Sequence, residues 1–175
     1  HFITQPSYGK YGTAIPVGLA TDYLSEGESA VVLMGDDFIY NRDGSSEIER
    51  LIQATPEGQC SLMAKKVEAD EMSKYGIIRM DDDGNYQEII EKPSPEEAPS
   101  DMASIGKYVM TKQAIEICSE VEKSPRGEYE LPDAINILVS RGGSVKVVPV
   151  VGEHLDGGTP ESWLHANNVV CGAVG

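Results

Sequence analysis

The run Val31-Val32-Leu33-Met34-Gly35-Asp36-Asp37-Phe38-Ile39-Tyr40 constrains this chain more than any other stretch. An apolar segment that ends in a glycine and two carboxylates reads as a buried parallel strand, opening at its carboxyl edge into a loop that can hold a cation. In open α/β sheets that edge is where ligands bind. A second carboxylate of the same kind, Asp156, stands in His154-Leu155-Asp156-Gly157-Gly158-Thr159-Pro160-Glu161, just ahead of an expected helix. The expectation is that Asp36 and Asp156 meet at one metal ion and that the rest of the chain brings them together.

The segments around that strand read as one α/β domain. Residues 2–5 look like a strand end, and a glycine-containing loop follows. A helix starting at Gly12-Thr13 then carries Ala14, Ile15, Val17, Leu19, Ala20 and Leu24 at helical spacing, with Pro16 in its first turn. Such a start would aim free backbone N–H groups over the sheet edge; the plain alternative is an ordinary capped helix. Ser45-Ser46-Glu47 opens a helix whose buried face is Ile48, Leu51 and Ile52, and Cys60 to Lys66 is the next strand, which is the βαβ rhythm of a parallel sheet.

That rhythm breaks at residues 75–80 and 86–91, which flank Asp81-Asp82-Asp83-Gly84-Asn85, a hairpin signal with a solvated acidic turn. Residues 103–110 are β-rich. Thr111 caps a helix through Val121 with Ala114, Ile115 and Cys118 inward. A polar link over 126–133 leads to a helix carrying Ala134, Ile135, Ile137 and Leu138, which Gly142-Gly143 ends. Residues 144–151 form a Val-rich strand, and Thr159-Pro160 opens a last helix with Thr as N-cap.

The chain is strongly acidic, with 29 Asp and Glu against 14 Lys and Arg and a formal net charge of −15. That balance argues against nucleic acid or an anionic membrane surface as partner. No apolar run approaches the roughly 20 residues that cross a bilayer, and no basic-then-apolar leader is visible. Cys60, Cys118 and Cys171 lie far apart with no CxxC pair, and read as buried or incidental thiols of a reducing cytoplasm. The opening His1-Phe2-Ile3-Thr4, with no Met, reads as an excerpt from a longer chain.

Strand-end carboxylates with glycine-rich loops suit phosphate chemistry, because Mg²⁺ neutralises a nucleotide while needing only one or two protein carboxylates. The residues also fall into a familiar order. Gln5-Pro6 with Gly12-Thr13-Ala14, then Gly35-Asp36-Asp37, Tyr75-Gly76, Glu91-Lys92-Pro93, Gly106-Lys107-Tyr108, Gly127-Glu128 through Leu131, Asp133 and Ala134, and Asp156-Gly158-Thr159-Pro160-Glu161 follow one another along the chain. In this the chain resembles the sugar-1-phosphate nucleotidyltransferases over nearly its whole length, most of all the branch that joins glucose-1-phosphate to UTP or dTTP.

The resemblance implies a Rossmann-like α/β domain over residues 1–175, of the nucleotide-diphospho-sugar transferase type. Its sheet would be mixed, mainly parallel and flanked by helices, and the domain incomplete at its N-terminus. Asp36 and Asp156 would hold Mg²⁺. Gln5, Gly12 and Thr13 would lie against the nucleoside triphosphate, with Asp36 at its phosphates. Gly76, Glu91, Lys92 and Gly106 would line the sugar-1-phosphate pocket, and Asp36, Lys92 and Asp156 would carry the catalysis.

The reaction so implied is attack of a sugar-1-phosphate oxygen on the α-phosphorus of the triphosphate, releasing pyrophosphate. Positioning and charge stabilisation do most of that work, so His154 and His165 read as structural. The acid-rich insertion after Glu91-Lys92-Pro93 favours UTP and UDP-glucose, with thymidylyl transfer as the alternative.

Family members open with a Gly-rich loop whose Arg and Lys grip the triphosphate, and these residues contain no such loop; on their own they are expected to fold without turning over. Gly157 stands where the thymidylyl branch usually has Thr, and Asp37 where Asn or Val is common. Two competing readings remain at this level. One is a glycosyltransferase of related fold, which would need a spaced Asp-X-Asp where this chain has Gly35-Asp36-Asp37-Phe38. The other is a non-catalytic regulatory domain. The resemblance also implies a homo-oligomer in the cytoplasm.

Overall fold

The computed structural model describes residues 2–6, 9–82 and 84–172. Along the chain these form α1 (Ala14–Gly18), β1 (Ser29–Leu33), β2 (Asp37–Tyr40), α2 (Glu47–Ala54), β3 (Cys60–Lys66), β4 (Gly76–Met80), β5 (Tyr86–Glu91) and β6 (Met102–Thr111). Then come α3 (Lys112–Ile117), α4 (Leu131–Ser140), β7 (Val145–Pro149), β8 (Glu153–Asp156) and α5 (Pro160–Val170).

β6 is the longest strand and sits inside the main sheet, ordered β5-β4-β6-β3-β7 with β1 also on β6. It pairs antiparallel with β3 along one edge, leaving the other for β1 over residues 107–111 and for β4 at Ala103. Its side chains are buried almost throughout, as expected of a strand covered on both faces. α1, α3 and α4 share one core with Cys60, Leu62, Val145 and Val147, whereas Leu51 of α2 packs with Met63, Ile105, Val109 and Val148 on the opposite face. The chain is therefore an α/β fold with a mixed sheet and flanking helices.

The pairing corrects two expectations. β3 and β7 are parallel, but β1, β3 and β4 all oppose β6, and β4 opposes β5. β1, β3, β4 and β7 do point the same way; the antiparallel β6 inserted between β1 and β3 turns an expected parallel unit into two antiparallel ladders. β1 is also not buried on both sides: among the described residues it pairs with β6 alone, and Val31 and Leu33 are exposed. Residues 2–6 form no strand, and Phe2 is fully exposed.

Local signals placed most other elements. Ser46, Thr111 and Thr159 each accept a hydrogen bond from the backbone N–H three residues on, and Thr159 with Ser162 completes a capping box. α1 is shorter than expected, ending at Gly18 before a 3₁₀ turn at Thr21–Tyr23. In α2 Glu47 and Leu51 are buried while Ile52 is exposed. The Glu47 carboxylate takes Arg50, Asn41 and the N–H groups of Val151 and Gly152, which ties α2 to the β7–β8 link. The hairpin forms as expected, with Asp81 accepting from the Asn85 backbone N–H; Asp83 lies outside the described residues. Cys60 and Cys118 are buried free thiols, and Cys171 is an exposed one.

β5 ends the sheet, and an open strand edge leaves N–H and C=O groups without partners. Asn136 of α4 supplies them. Its amide nitrogen donates to Ile89 O at 3.1 Å, and its Oδ1 accepts from Ile89 N at 3.0 Å and from Tyr86 Oη at 2.6 Å. Asn136→Ala should lower stability by about 2–3 kcal/mol in urea unfolding, because it strands buried polar groups. Asn136→Leu should lose a similar amount, since filling the volume does not replace the bonds; a Leu variant as stable as wild type would contradict this.

Candidate functional site

The first part of the site is a corner built by β6. Its register against β3 shifts between Leu62 and Ala64, so Ile105-Gly106-Lys107 bulge out of the ladder. Gly106 has φ +64°, and a Cβ there would stand 2.6 Å from Asp37 Oδ2 and 2.8 Å from Met34 Cγ. Gly106 O accepts from Met34 N at 2.9 Å, and Lys107 Nζ donates to Met34 O at 3.0 Å. The bulge thus grips both backbone groups of the residue leading into Gly35-Asp36. Lys107 is buried, which lowers its pKa, while Asp37 and Asp36 act to raise it.

The antiparallel pairing of β2 with β8 sets Asp37 opposite Asp156, which brings Asp36 and Asp156 to the same place. Gly157 N donates to Asp36 O at 2.7 Å, and Gly158 N donates to Asp156 Oδ1 at 2.7 Å. A Cβ on Gly158 would lie 3.0 Å from Asp156 Oδ1 and 3.8 Å from Asp36 Oδ2, so both exposed carboxylates face one point. Gly157 has its own reason to lack a side chain, since a Cβ would sit 2.5 Å from the Phe38 ring.

Asp37 has a different task from Asp36. Its Oδ1 lies 2.8 Å from Nε2 of the nearly buried His154 side chain, and its Oδ2 rests against Gly106. The Tyr75 ring meets His154 edge-on, with centroids 6.3 Å apart. His154 is therefore a structural strut between the corner and the pocket beside it. Among the described residues no three His, Cys, Asp or Glu side chains converge as a metal cage. Two facing carboxylates are nevertheless the donor set that magnesium takes when phosphate and water fill its remaining positions.

The second part is a pocket of about 250 Å³ lined by Gly76, Glu91, Lys92 and Thr13, together with Met34 of the corner. Gly76 and Glu91 are register partners in the hairpin, and a Cβ on Gly76 would lie 2.9 Å from Glu91 Oε2. The missing side chain is the space the carboxylate occupies. Lys92 has φ +48°, the one positive value among the described non-glycine residues, and its N–H donates to Tyr75 O. Backbone held in that region costs of order 1–3 kcal/mol and collects at ligand sites. Burial first, and the neighbouring Glu130 second, push the Glu91 pKa above the usual carboxylate range, against the pull of Arg126 and Lys92.

Gln5, Gly12 and Gly106 do not line this pocket. A Cβ on Gly12 would come within 2.2 Å of Tyr129 O, so its lack of a side chain serves that contact. Of the two readings of this helix start, the backbone follows the plain one at Ala14, whose N–H donates to Tyr129 O at 3.0 Å. Thr13 caps no helix of its own; its Oγ1 accepts from Leu131 N at 2.9 Å, at the start of α4. Sequence reasoning gave no role to Lys107, Arg126 or Glu130. Lys107 had a signal in Gly106-Lys107-Tyr108, whereas Arg126 and Glu130 read only as part of a polar link.

Known proteins resemble this chain over most of its length. A UTP–glucose-1-phosphate uridylyltransferase of Pseudomonas aeruginosa is 31% identical over 146 residues, covering 81% of this chain and 52% of the relative. One of Haloferax volcanii is 34% identical over 134 residues, covering 77% of this chain and 53% of the relative. The chain spans about half the length of these curated relatives. A crystal structure of UDP-glucose pyrophosphorylase complexed with UDP-glucose superposes with TM-score 0.82 at 26% identity, covering 95% of this chain and 64% of that one. Residues 1–172 match the family model described as nucleotidyl transferase, and the chain belongs to that family.

Proposed function

We propose that the protein transfers a uridylyl group from UTP to glucose-1-phosphate, giving UDP-glucose and pyrophosphate. The observation that supports this most is the facing pair Asp36 and Asp156, set by the β2–β8 register beside the pocket of Gly76, Glu91 and Lys92. The names of the relatives point to uracil and glucose. On this reading residues 1–175 are one α/β domain that forms the C-terminal part of the nucleotidyltransferase domain. A cytoplasmic homo-oligomer belongs to the same reading; no described helix is long and apolar enough to cross a membrane.

Asp36 and Asp156 would hold Mg²⁺. When bound, the ion neutralises phosphate charge and polarises the phosphorus under attack. The chain's own residues do the positioning. Glu91 accepts from sugar hydroxyls, with Gly76 leaving room for its carboxylate. Lys92 places its ammonium at the sugar phosphate and balances charge as the in-line attack proceeds. Gln5, Gly12 and Thr13 lie towards the nucleotide, and Gly106 acts on the pocket from behind, by shaping the Met34–Asp37 corner. The sugar-phosphate oxygen is already an anion, so no side-chain nucleophile or general base is required. The glycosyltransferase alternative is weakened by Asp37, whose carboxylate is committed to His154 and Gly106.

The test is Mg²⁺-dependent pyrophosphate release by the full-length protein encoded by the gene, given UTP and glucose-1-phosphate. Asp36→Asn and Asp156→Asn should each cut kcat by at least about a hundredfold with the thermal midpoint retained, the scale of losing one preorganised charge-stabilising group. Lys92→Met should lower kcat/KM for glucose-1-phosphate by a similar factor, about a hundredfold. Release of free UDP from UDP-glucose by a folded protein that makes no pyrophosphate would favour the glycosyltransferase.

A further inference from the structure

Glu91 does not stand alone in the pocket wall. Oε2 lies over Gly76, where the absent Cβ makes room, and Oε1 accepts from Arg126 Nη1 at 3.0 Å. The same Nη1 reaches Glu130 at 3.3 Å, and Ser124 Oγ donates to Glu130 Oε1 at 2.8 Å. Glu130 is buried, and Arg126 Nη2 lies 3.9 Å from Glu128, so one guanidinium serves three carboxylates that would otherwise repel one another. Glu91, Arg126, Glu130 and Ile89 also line a second cavity of about 640 Å³ on the far side, walled by the α3–α4 connection. The ion cluster is thus shared by the linings of both cavities.

We infer that Arg126 is the positioning residue of the sugar pocket: by bridging Glu91 to the buried Glu130, it holds the Glu91 carboxylate in place over Gly76. The inference rests on Glu91 accepting from the sugar. The two acceptors, on different elements, are met from one nitrogen, Nη1, whose two N–H directions are fixed by the guanidinium plane, which a freely rotating ammonium does not provide. Without it Glu91 faces Glu130 with only Lys92 acting against the repulsion, and its carboxylate is free to turn from Gly76.

The groups that act on Glu91 set the sign of the pH effect. Glu130 raises its pKa; Arg126 and Lys92 lower it. Tyr108 of β6 senses the Glu91 charge, and Lys74 and Glu128 stand at the pocket rim. Removing Arg126 deletes a lowering influence from a group already shifted upward. Glu91 then loses its charge at a higher pH as the solution is acidified, and the acid limb of kcat/KM moves up.

Steady-state kinetics on the full-length protein test this, with glucose-1-phosphate varied at saturating UTP. Arg126→Ala should raise KM for glucose-1-phosphate about tenfold and change kcat by less than about threefold, as expected for a binding contact removed equally from ground and transition states. Its acid limb should move to higher pH, and KM for UTP should stay put. Arg126→Gln is run beside it, so that a loss of fold in the Ala variant does not decide the result. Arg126→Lys should return the acid limb while leaving an intermediate KM. In a Glu91→Gln background Arg126→Ala should add less than about twofold, because residues acting through one group are not additive. A KM moved by Glu91→Gln but not by either neutral Arg126 variant overturns the inference and leaves the sugar pocket standing. A KM indifferent to Glu91→Gln overturns both.

Discussion

The bulge in β6 is the constraint on which the rest of the site depends. A regular strand there would present side chains at fixed alternation to β1 and β3, and nothing would hold the turn after β1. The left-handed Gly106 instead drops a carbonyl onto Met34 N and leaves space for Asp37, while Lys107 closes on Met34 O from the next position. The residue before Gly35-Asp36 is therefore held through both backbone groups. Lys107 can be buried in this setting because a carbonyl accepts its proton and Asp36 and Asp37 lie close by. Burying an unpaired ammonium would cost several kcal/mol.

The second sheet turns that fixed corner into a site. β2 leaves the corner and pairs with β8, and register alone puts Asp156 across from Asp37. His154 binds Asp37 from the same strand that carries Asp156, so a one-residue slip would lose both the strut and the facing carboxylates. Tyr75, edge-on to His154, continues the connection towards Gly76 and the pocket. The Asp36–Asp156 corner and the pocket of Gly76 and Glu91 are thus joined through packed side chains rather than through a loop.

Charge is distributed accordingly. A chain of net charge −15 gains nothing from its overall field when its proposed substrates are polyanions. Attraction must be local, and the pocket lining holds Lys74, Lys92 and Arg126 in one place. Arg126 is largely occupied by carboxylates and Lys74 pairs with Glu71 at 3.3 Å, so Lys92 is the lining cation that stands outside these ion pairs. Lys92 is held there by an uncommon backbone conformation whose N–H bonds to Tyr75 O, a cost borne where the position of one ammonium matters.

Much of this was readable from local pattern. The capped helix starts at Ser46, Thr111 and Thr159, the 81–85 turn and the strand ahead of Asp36 follow from neighbouring residues, because caps, turns and apolar periodicity are short-range physics. The residue types alone singled out Asp36 and Asp156, as carboxylates at strand ends, whereas Gly76, Glu91 and Lys92 read singly as turn and strand-end residues and gained a role only from the resemblance to the nucleotidyltransferases. It could not show that β6 runs between β1 and β3, that Thr13 serves α4, or that Ile52 faces solvent in place of Glu47. Nor could it show that Asp37 serves a histidine 117 positions away. Those outcomes depend on which distant segment arrives beside each residue. Sequence determined the elements and the candidate chemistry; the tertiary pairing of β2 with β8, against the bulge in β6, decided that Asp37 serves His154 and the Gly106 corner, because register and strand direction are properties of the assembled sheet.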